Sequence, residues 1–323
     1  MAGNWWKRVR SLMTAVAVTI LLVLAGASAC EEETHESKPS VEQKLKDAGL
    51  FEHSTHPKLK IGVYINRPLL GFVERGVNGG FEVDIARYVA KNLGYQGDGK
   101  IEWVTVPSVN DRMLYLERGQ VDLVFASLSM IPDRCDKRIL CAGPYLVTEQ
   151  SVLIPTALKA KIATIQDLAK LGEKVCTAAG STSEKLLRED RGMQVSSLNS
   201  TEECVAGVRN GTYEAVSSDR TILAGFVSRY PNELMVLNVK LGTSTNQGIE
   251  RIGVGVPRNN TALRELVDYF LNKSFDNQQK GKTTEWTAAF DKHLSRWYGE
   301  QLTQPRPDNV PILLDYDAKA PKP

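Results

Sequence analysis

Apolar positions along the chain fall into two alternating rhythms. "KIGVYI" (Lys60–Ile65), "KIEWVTV" (Lys100–Val106) and "VDLVFA" (Val121–Ala126) are short apolar runs of strand length. Between them, Glu82–Leu93 places Ile85, Ala86, Val89, Ala90 and Leu93 on one helical face, and Gly94 stops it. Asn110–Arg118 predicts another helix, ended by Gly119. A second set follows: a strand over Lys174–Gly180, a helix from Ser181 with Glu184 in the capping-box position, and a helix near Ser200 with Glu203 placed likewise. Strands at Tyr213–Asp219 and Arg251–Pro257 come next, then amphipathic helices at Leu263–Phe270 and Trp286–Leu294. Strand and helix in turn predict an α/β protein with a largely parallel sheet covered on both faces. Ligands of such sheets sit beyond the carboxyl ends of the strands. "FASLSMIPDRCDK" lies in that place, with two hydroxyls (Ser127, Ser129) and one guanidinium (Arg134) just past an apolar strand.

The ends follow other rules. Lys7, Arg8 and Arg10 precede an apolar stretch from Ser11 to Ala29, so residues 1–29 read as a secretory signal peptide. Ala27-Ser28-Ala29-Cys30 resembles a lipobox whose cysteine receives lipid, although plain Ala-x-Ala cleavage gives the same mature end. Residues 30–57 read as a tether containing a short helix capped by Ser40 and Gln43, and residues 299–323 as an extended proline-rich tail. Five cysteines are an odd number for an exported chain. Lipidation of Cys30 leaves four, which allow three connectivities. The preferred one joins Cys176 to Cys204 and Cys135 to Cys141, with buried free thiols as the alternative.

The 323 residues suggest two domains. A net charge of +2 with no basic stripe argues against a nucleic-acid partner. Four histidines (His35, His53, His56 and His293) lie in the tether or a terminal helix, and no nucleophile elbow or metal set is visible. No enzyme, metal or cofactor is therefore expected.

"GGFEVDIARYVAKNLG" (Gly79–Gly94) resembles the signature of the bacterial family 3 extracellular solute-binding proteins, the amino-acid receptors of ABC importers. The likeness extends over nearly all of Lys58–Trp297, through "VDLVFASLS", "AGPYLV", "GSTSEKLL", "YEAVSSDRTILAG" and "EWTAAFDKHLSRW". "KVCTAAGSTSEK" with "STEECVAGV" is similar to actinobacterial glutamate- and glutamine-binding lipoproteins, which place a cysteine at both points. The resemblance implies the type II periplasmic binding protein fold, two α/β lobes joined by two crossover strands. Lobe 1 would be 58–147 plus 248–298 and lobe 2 148–247, with crossovers near Thr148–Ser151 and Thr245–Gln247. It further implies a monomer, lipid-anchored outside the cytoplasmic membrane, that delivers a free L-amino acid to an ABC permease. A sensor lipoprotein signalling to a membrane partner is one alternative; a dehydratase of cyclic acids on the same fold is another.

A dry cleft for an amino acid must match an α-carboxylate, an α-ammonium and one side chain. By resemblance Arg134 takes the carboxylate, Ser129 and Ser127 add hydroxyl or amide donors, and Asp219 takes the ammonium. Ser181 and Thr182 offer a helix start to the same carboxylate. Each has a blander reading: Arg134 and Asp219 as helix-end residues, Ser181 as a cap, and Ser127 on the far side of its strand. Arg67, in the loop after the first strand, suits a second carboxylate, so glutamate is expected first, then aspartate, glutamine and asparagine. Its bland reading is a solvated loop arginine, with Tyr64 and Phe72 as an apolar lid instead. Ile131 stands where relatives carry a capping hydroxyl, and Pro132 holds the turn in its place.

Overall fold

The computed structural model describes residues 38–50, 56–237 and 239–314. The expected signal peptide and Cys30 lie outside them. Ser40 caps α1 (Val41–Asp47), its Oγ accepting from the Gln43 amide at 3.1 Å. β1 (Leu59–Val63) leads into a small antiparallel sheet of β2 (Asn66–Arg67), β3 (Gly71–Glu74) and β4 (Val77–Gly79). Next come α2 (Phe81–Asn92), β5 (Ile101–Thr105), α3 (Asp111–Glu117), β6 (Leu123–Ser129), the single turn α4 (Pro132–Cys135) and β7 (Leu140–Pro155). The second half holds α5 (Ile165–Lys170), β8 (Val175–Ala178), α6 (Thr182–Lys185), β9 (Ser196–Leu198) and α7 (Thr201–Arg209). It continues through β10 (Ala215–Asp219), α8 (Arg220–Arg229) and β11 (Leu234–Leu237). The chain then returns through β12 (Ile249–Val256) to α9 (Thr261–Gln279), α10 (Glu285–His293) and α11 (Ser295–Tyr298).

The main strands run in the order β5-β1-β6-β12-β7-β10-β8-β9, with β11 also on β7. β1 lies parallel to β5 and β6, and β8 parallel to β9 and β10. The sheet is nevertheless mixed, not largely parallel. β12 runs antiparallel to β6 and β7, and β7 antiparallel to β10 and β11. The reason is the path of the chain: β7 crosses from one lobe to the other and β12 comes back beside it. Opposite each other on the two crossings are Thr148 with Glu250 and Glu149 with Ile249.

Gly80, at φ 119°, starts α2 where a Cβ would collide with the Leu70 carbonyl. That close approach lets the Phe81 and Glu82 amides donate to Leu69 and Leu70 at 2.8 and 3.0 Å. The lobe 1 core then gathers around Phe81, Tyr145, Trp286 and Phe290. Trp286 stacks on Phe290 with centroids 5.4 Å apart and donates its indole N–H to the Tyr145 carbonyl at 2.7 Å.

Two expectations about the ends need correction. The segment read as a tether includes α1, which packs on α9 and buries Val41 and Leu50. The proline-rich segment, as far as Leu314, is bound to lobe 1 and does not trail away. Gln304 is 1% exposed, bonding Leu271 O and Ser274 Oγ at 2.8 Å each. Farther along, Asp308 N donates to Gly143 O, and Leu314 N to Pro39 O at 3.1 Å. An apolar helix stripe and a buried amide anchor what composition alone marks as solvated.

Both preferred disulfides are formed, Cys135–Cys141 between α4 and β7, and Cys176–Cys204 between β8 and α7. Their sequence separations are 6 and 28 residues. Because loop-closure entropy grows with the length enclosed, replacing both Cys176 and Cys204 by Ala should cost about 3–4 kcal/mol. The Cys135/Cys141 pair should cost about 2 kcal/mol on the same scale. Denaturant unfolding of the two double variants checks this; equal losses would contradict the loop-length account.

Candidate ligand-binding site

β6 is buried along its whole length and delivers Ser127 and Ser129 at its carboxyl end. The α4 turn follows. Ile131 occupies the cap position without a side-chain bond, and Pro132 stands at the first helical position, where its missing N–H costs nothing. Arg134 is thereby turned back over the strand end, 5% exposed. Its Nη2 donates to the Gly180 carbonyl in lobe 2 at 3.0 Å, and Nη1 makes a longer contact to Ser129 O at 3.4 Å. Burial, then the neighbouring Arg112, lowers its pKa to about 9, which still leaves it charged at neutral pH.

Opposite stands the start of α6. Ser181 Oγ caps the helix by accepting from the Glu184 amide at 3.1 Å, while the Glu184 carboxylate accepts from the Gly180 amide at 2.7 Å. Thr182 Oγ1 lies 3.5 Å from Ser129 Oγ, so the two lobes meet hydroxyl to hydroxyl. Asp219 ends β10. It makes no side-chain capping bond to α8 and is 5% exposed, so the capping reading does not hold. Burial, then the nearby Glu250, raises its pKa, against the pull of Arg67, Arg112 and Arg134.

Ser127 adopts φ 48°, uncommon for a residue with a side chain. Its conformation is held from both ends. The amide donates to Glu82 Oε1 at 2.7 Å, and the carbonyl accepts from Arg112 Nη1 at 2.6 Å. Its Oγ is buried with no hydrogen-bond partner among the described residues, and the residue lines the cavity. Glu82 also accepts from the Tyr145 hydroxyl at 2.7 Å, and burial raises its pKa despite that bond.

Arg67 is not a solvated loop residue. It is 3% exposed, with its guanidinium 3.6 Å above the Tyr64 ring. Its Nε donates to Glu202 Oε1 of α7 at 3.3 Å. Burial opposes its charge, yet Tyr64, Glu202, Glu82 and Asp219 outweigh this and raise its pKa.

Arg67, Ser127, Ser129, Arg134, Ser181, Thr182 and Asp219 all line one cavity of about 20 Å³, room for roughly one water. A groove of about 510 Å³ shares Arg134, Ser181 and Thr182 with it and runs outward past Arg138, Lys185 and Arg188. As it stands the cavity is too small for an amino acid. Among the described residues no group of three or more His, Cys, Asp or Glu is arranged to hold a metal.

Sequence reasoning missed Arg112, Gln150, Glu202 and Glu250. Gln150 Nε2 reaches Glu250 Oε1 at 2.7 Å, Thr182 Oγ1 at 3.0 Å and Asp219 Oδ1 at 3.3 Å. The signal was present in "TEQSVLIP" and "GIERIGVGV", where polar residues interrupt apolar strands. Without the strand pairing nothing tied them together.

Comparison with known proteins fits this geometry. Residues 59–288 match the family model described as bacterial extracellular solute-binding proteins, family 3. The glutamate-binding protein GluB of Corynebacterium efficiens is 26% identical over 234 residues, 70% of this chain and 77% of that one. The ABC transporter glutamine-binding protein GlnH of Bacillus subtilis is 26% identical over 266 residues, 81% and 90% of the two chains. Among solved structures, the cysteine-binding protein from Campylobacter jejuni superposes with a TM-score of 0.66 at 22% identity, covering 79% of this chain and 96% of that one. An ancestral arginine-binding protein bound to glutamine gives 0.60 at 25% identity, covering 75% and 98%. Two α/β lobes on two crossover strands, a buried arginine facing a helix start, and a matching family model over most of the chain lead to one assignment: the protein belongs to family 3 of the bacterial extracellular solute-binding proteins.

Proposed function

We propose that the protein binds a polar amino acid outside the cytoplasmic membrane, glutamate first and then aspartate, glutamine and asparagine, and hands it to an ABC permease. One observation carries the reading: Arg134, the α6 start, Asp219 and Arg67 converge on a single cavity whose walls come from both lobes. Arg134 would release the Gly180 carbonyl and take the ligand α-carboxylate as a fork, joined by the Ser129 hydroxyl and the Thr182 end of α6. Asp219 would face the ammonium. Arg67 uses Nε for Glu202, and that contact leaves the Nη edge of its fork for a distal carboxylate. GluB and GlnH, named for glutamate and glutamine, support a polar amino acid of that size. Export by the first 29 residues and lipidation at Cys30 would hold the domain at the outer face of that membrane. Closure on the ligand would follow from contacts made with both lobes.

A thermal-shift screen against the twenty amino acids should raise the melting temperature with glutamate-like ligands, because a ligand bound only by the folded state stabilises it. No shift with any of them would sink the reading. By calorimetry, Arg134→Ala and Asp219→Ala should each lose more than ~2 kcal/mol of binding, since each removes a desolvated charge partner. Arg67→Ala should lose glutamate while retaining glutamine. Equal loss of both would show that Arg67 does not read the distal carboxylate.

A further inference from the structure

Gln150 sits where β7 passes between the lobes, 4% exposed, with its amide N–H bonded to Gly248 O on the returning crossover at 2.7 Å. Its side chain gathers four partners from three other elements. Glu250 of β12, Thr182 of α6 and Asp219 of β10 accept from Nε2, and the Ser183 hydroxyl donates to Oε1. An amide has two N–H bonds, and three acceptors compete for them here. Glu250, the shortest contact, takes one; Thr182 and Asp219 share the other. Turning the amide over would set its oxygen against the Glu250 carboxylate, so Glu250 fixes its orientation and Ser183 donates to the oxygen on the other side. Thr182 and Asp219 both line the cavity, whereas Gln150 and Glu250 stand behind them.

We infer that Gln150, oriented by Glu250 and Ser183, is a positioning residue that sets the aim of Asp219 and Thr182 at the ligand and ties that aim to the crossover strands. The inference rests on the amino-acid-binding reading. Asp219 and Glu250 are two buried carboxylates with one amide between them, and that amide satisfies both without neutralising either. The Gln150–Glu250 bond joins a strand that enters lobe 2 to one that leaves it, at the point where the two crossovers are paired. A site arranged in this way couples hinge geometry to the ammonium subsite.

The charged groups facing Asp219 are Glu250 from β12, Arg67 from β2, Arg112 from α3 and Arg134 from α4, with neutral Gln150 and Thr182 from β7 and α6. Asp219 must be ionised to face an ammonium, and Glu250 favours its protonated form. Binding therefore weakens as pH falls through its raised pKa. Removing the Glu250 charge moves that weakening to lower pH.

The test is glutamate and glutamine binding by calorimetry from pH 6 to 9 on the wild type, Gln150→Leu and Glu250→Gln, with thermal melts to confirm folding. Gln150→Leu should weaken binding at least tenfold at pH 8, about the effect of one hydrogen bond to a charged group. Glu250→Gln keeps an acceptor for the amide. It should bind within about threefold of wild type at pH 8 and lose less affinity than wild type on going to pH 6. Wild-type affinity in a folded Gln150→Leu would overturn the inference, as would a Glu250→Gln pH profile matching wild type. If Gln150→Leu fails to fold, Gln150→Asn, whose shorter amide cannot span Glu250 and Asp219, is held to the same tenfold loss. Absence of binding by the wild type to any amino acid would instead bring down the reading on which the inference rests.

Discussion

The antiparallel ladder between β7 and β12 is the constraint from which the rest of the structure follows. β7 is 16 residues long, pairs with β12 over its first part and with β10 and β11 over its second. One continuous strand thus belongs to the sheets of both lobes. The carboxyl ends of β6 and β10 are brought face to face because each lies beside one of these two strands. Were the crossing made of flexible loops, Ser129 and Thr182 would have no fixed relation, and neither would Arg134 and Gly180.

Burial of charge is the second constraint. Arg67, Arg112, Arg134, Glu82, Asp219 and Glu250 are all at most 6% exposed within one region. Removing such groups from water is costly unless each finds a partner. The partners here are largely backbone carbonyls and neutral side chains, not direct ion pairs. Arg112 illustrates this: its guanidinium is spent on the carbonyls of Val109, Ala126 and Ser127, which holds the end of β6 in shape. Arg134 instead donates to the Gly180 carbonyl of the other lobe and, at longer range, to Ser129 O, so its guanidinium bridges the cleft.

Much of this was legible in the chain. Strand and helix periodicity gave the α/β class and about half of the elements to within a few residues, but not β7, α5, β9 or β11, and α9 runs on past its expected end at Phe270 to Gln279. Ser129 and Asp219 at the ends of apolar strands, and Arg134 just past one, could be found from local pattern, while the roles expected of them came from the family resemblance. Ser181 and Ser200 cap their helices as expected, accepting from the amides of Glu184 and Glu203. The hairpin sheet of β2–β4 was not legible, since strands of two to four residues have no measurable period. Nor were Gln150 and Glu250, which lie 100 residues apart and become neighbours only through strand pairing. Arg112 was hidden differently: on a short helix an arginine reads as solvent-facing until its carbonyl partners are known.

The bond from Leu314 to Pro39 has a mechanical meaning. Ser40 and Leu314 form a parallel bridge, and the chain on either side of them rests on lobe 1, through α1 against α9 and Gln304 against Leu271. Lobe 2 contains neither of these points. A pull applied through Pro39, or through Leu314, is therefore met first by contacts within lobe 1, although the stretch between α10 and Gln304 also touches Arg220 of lobe 2 through Tyr298 and Glu300. Tension between the two segments would be taken up at that bridge, which lies on one lobe.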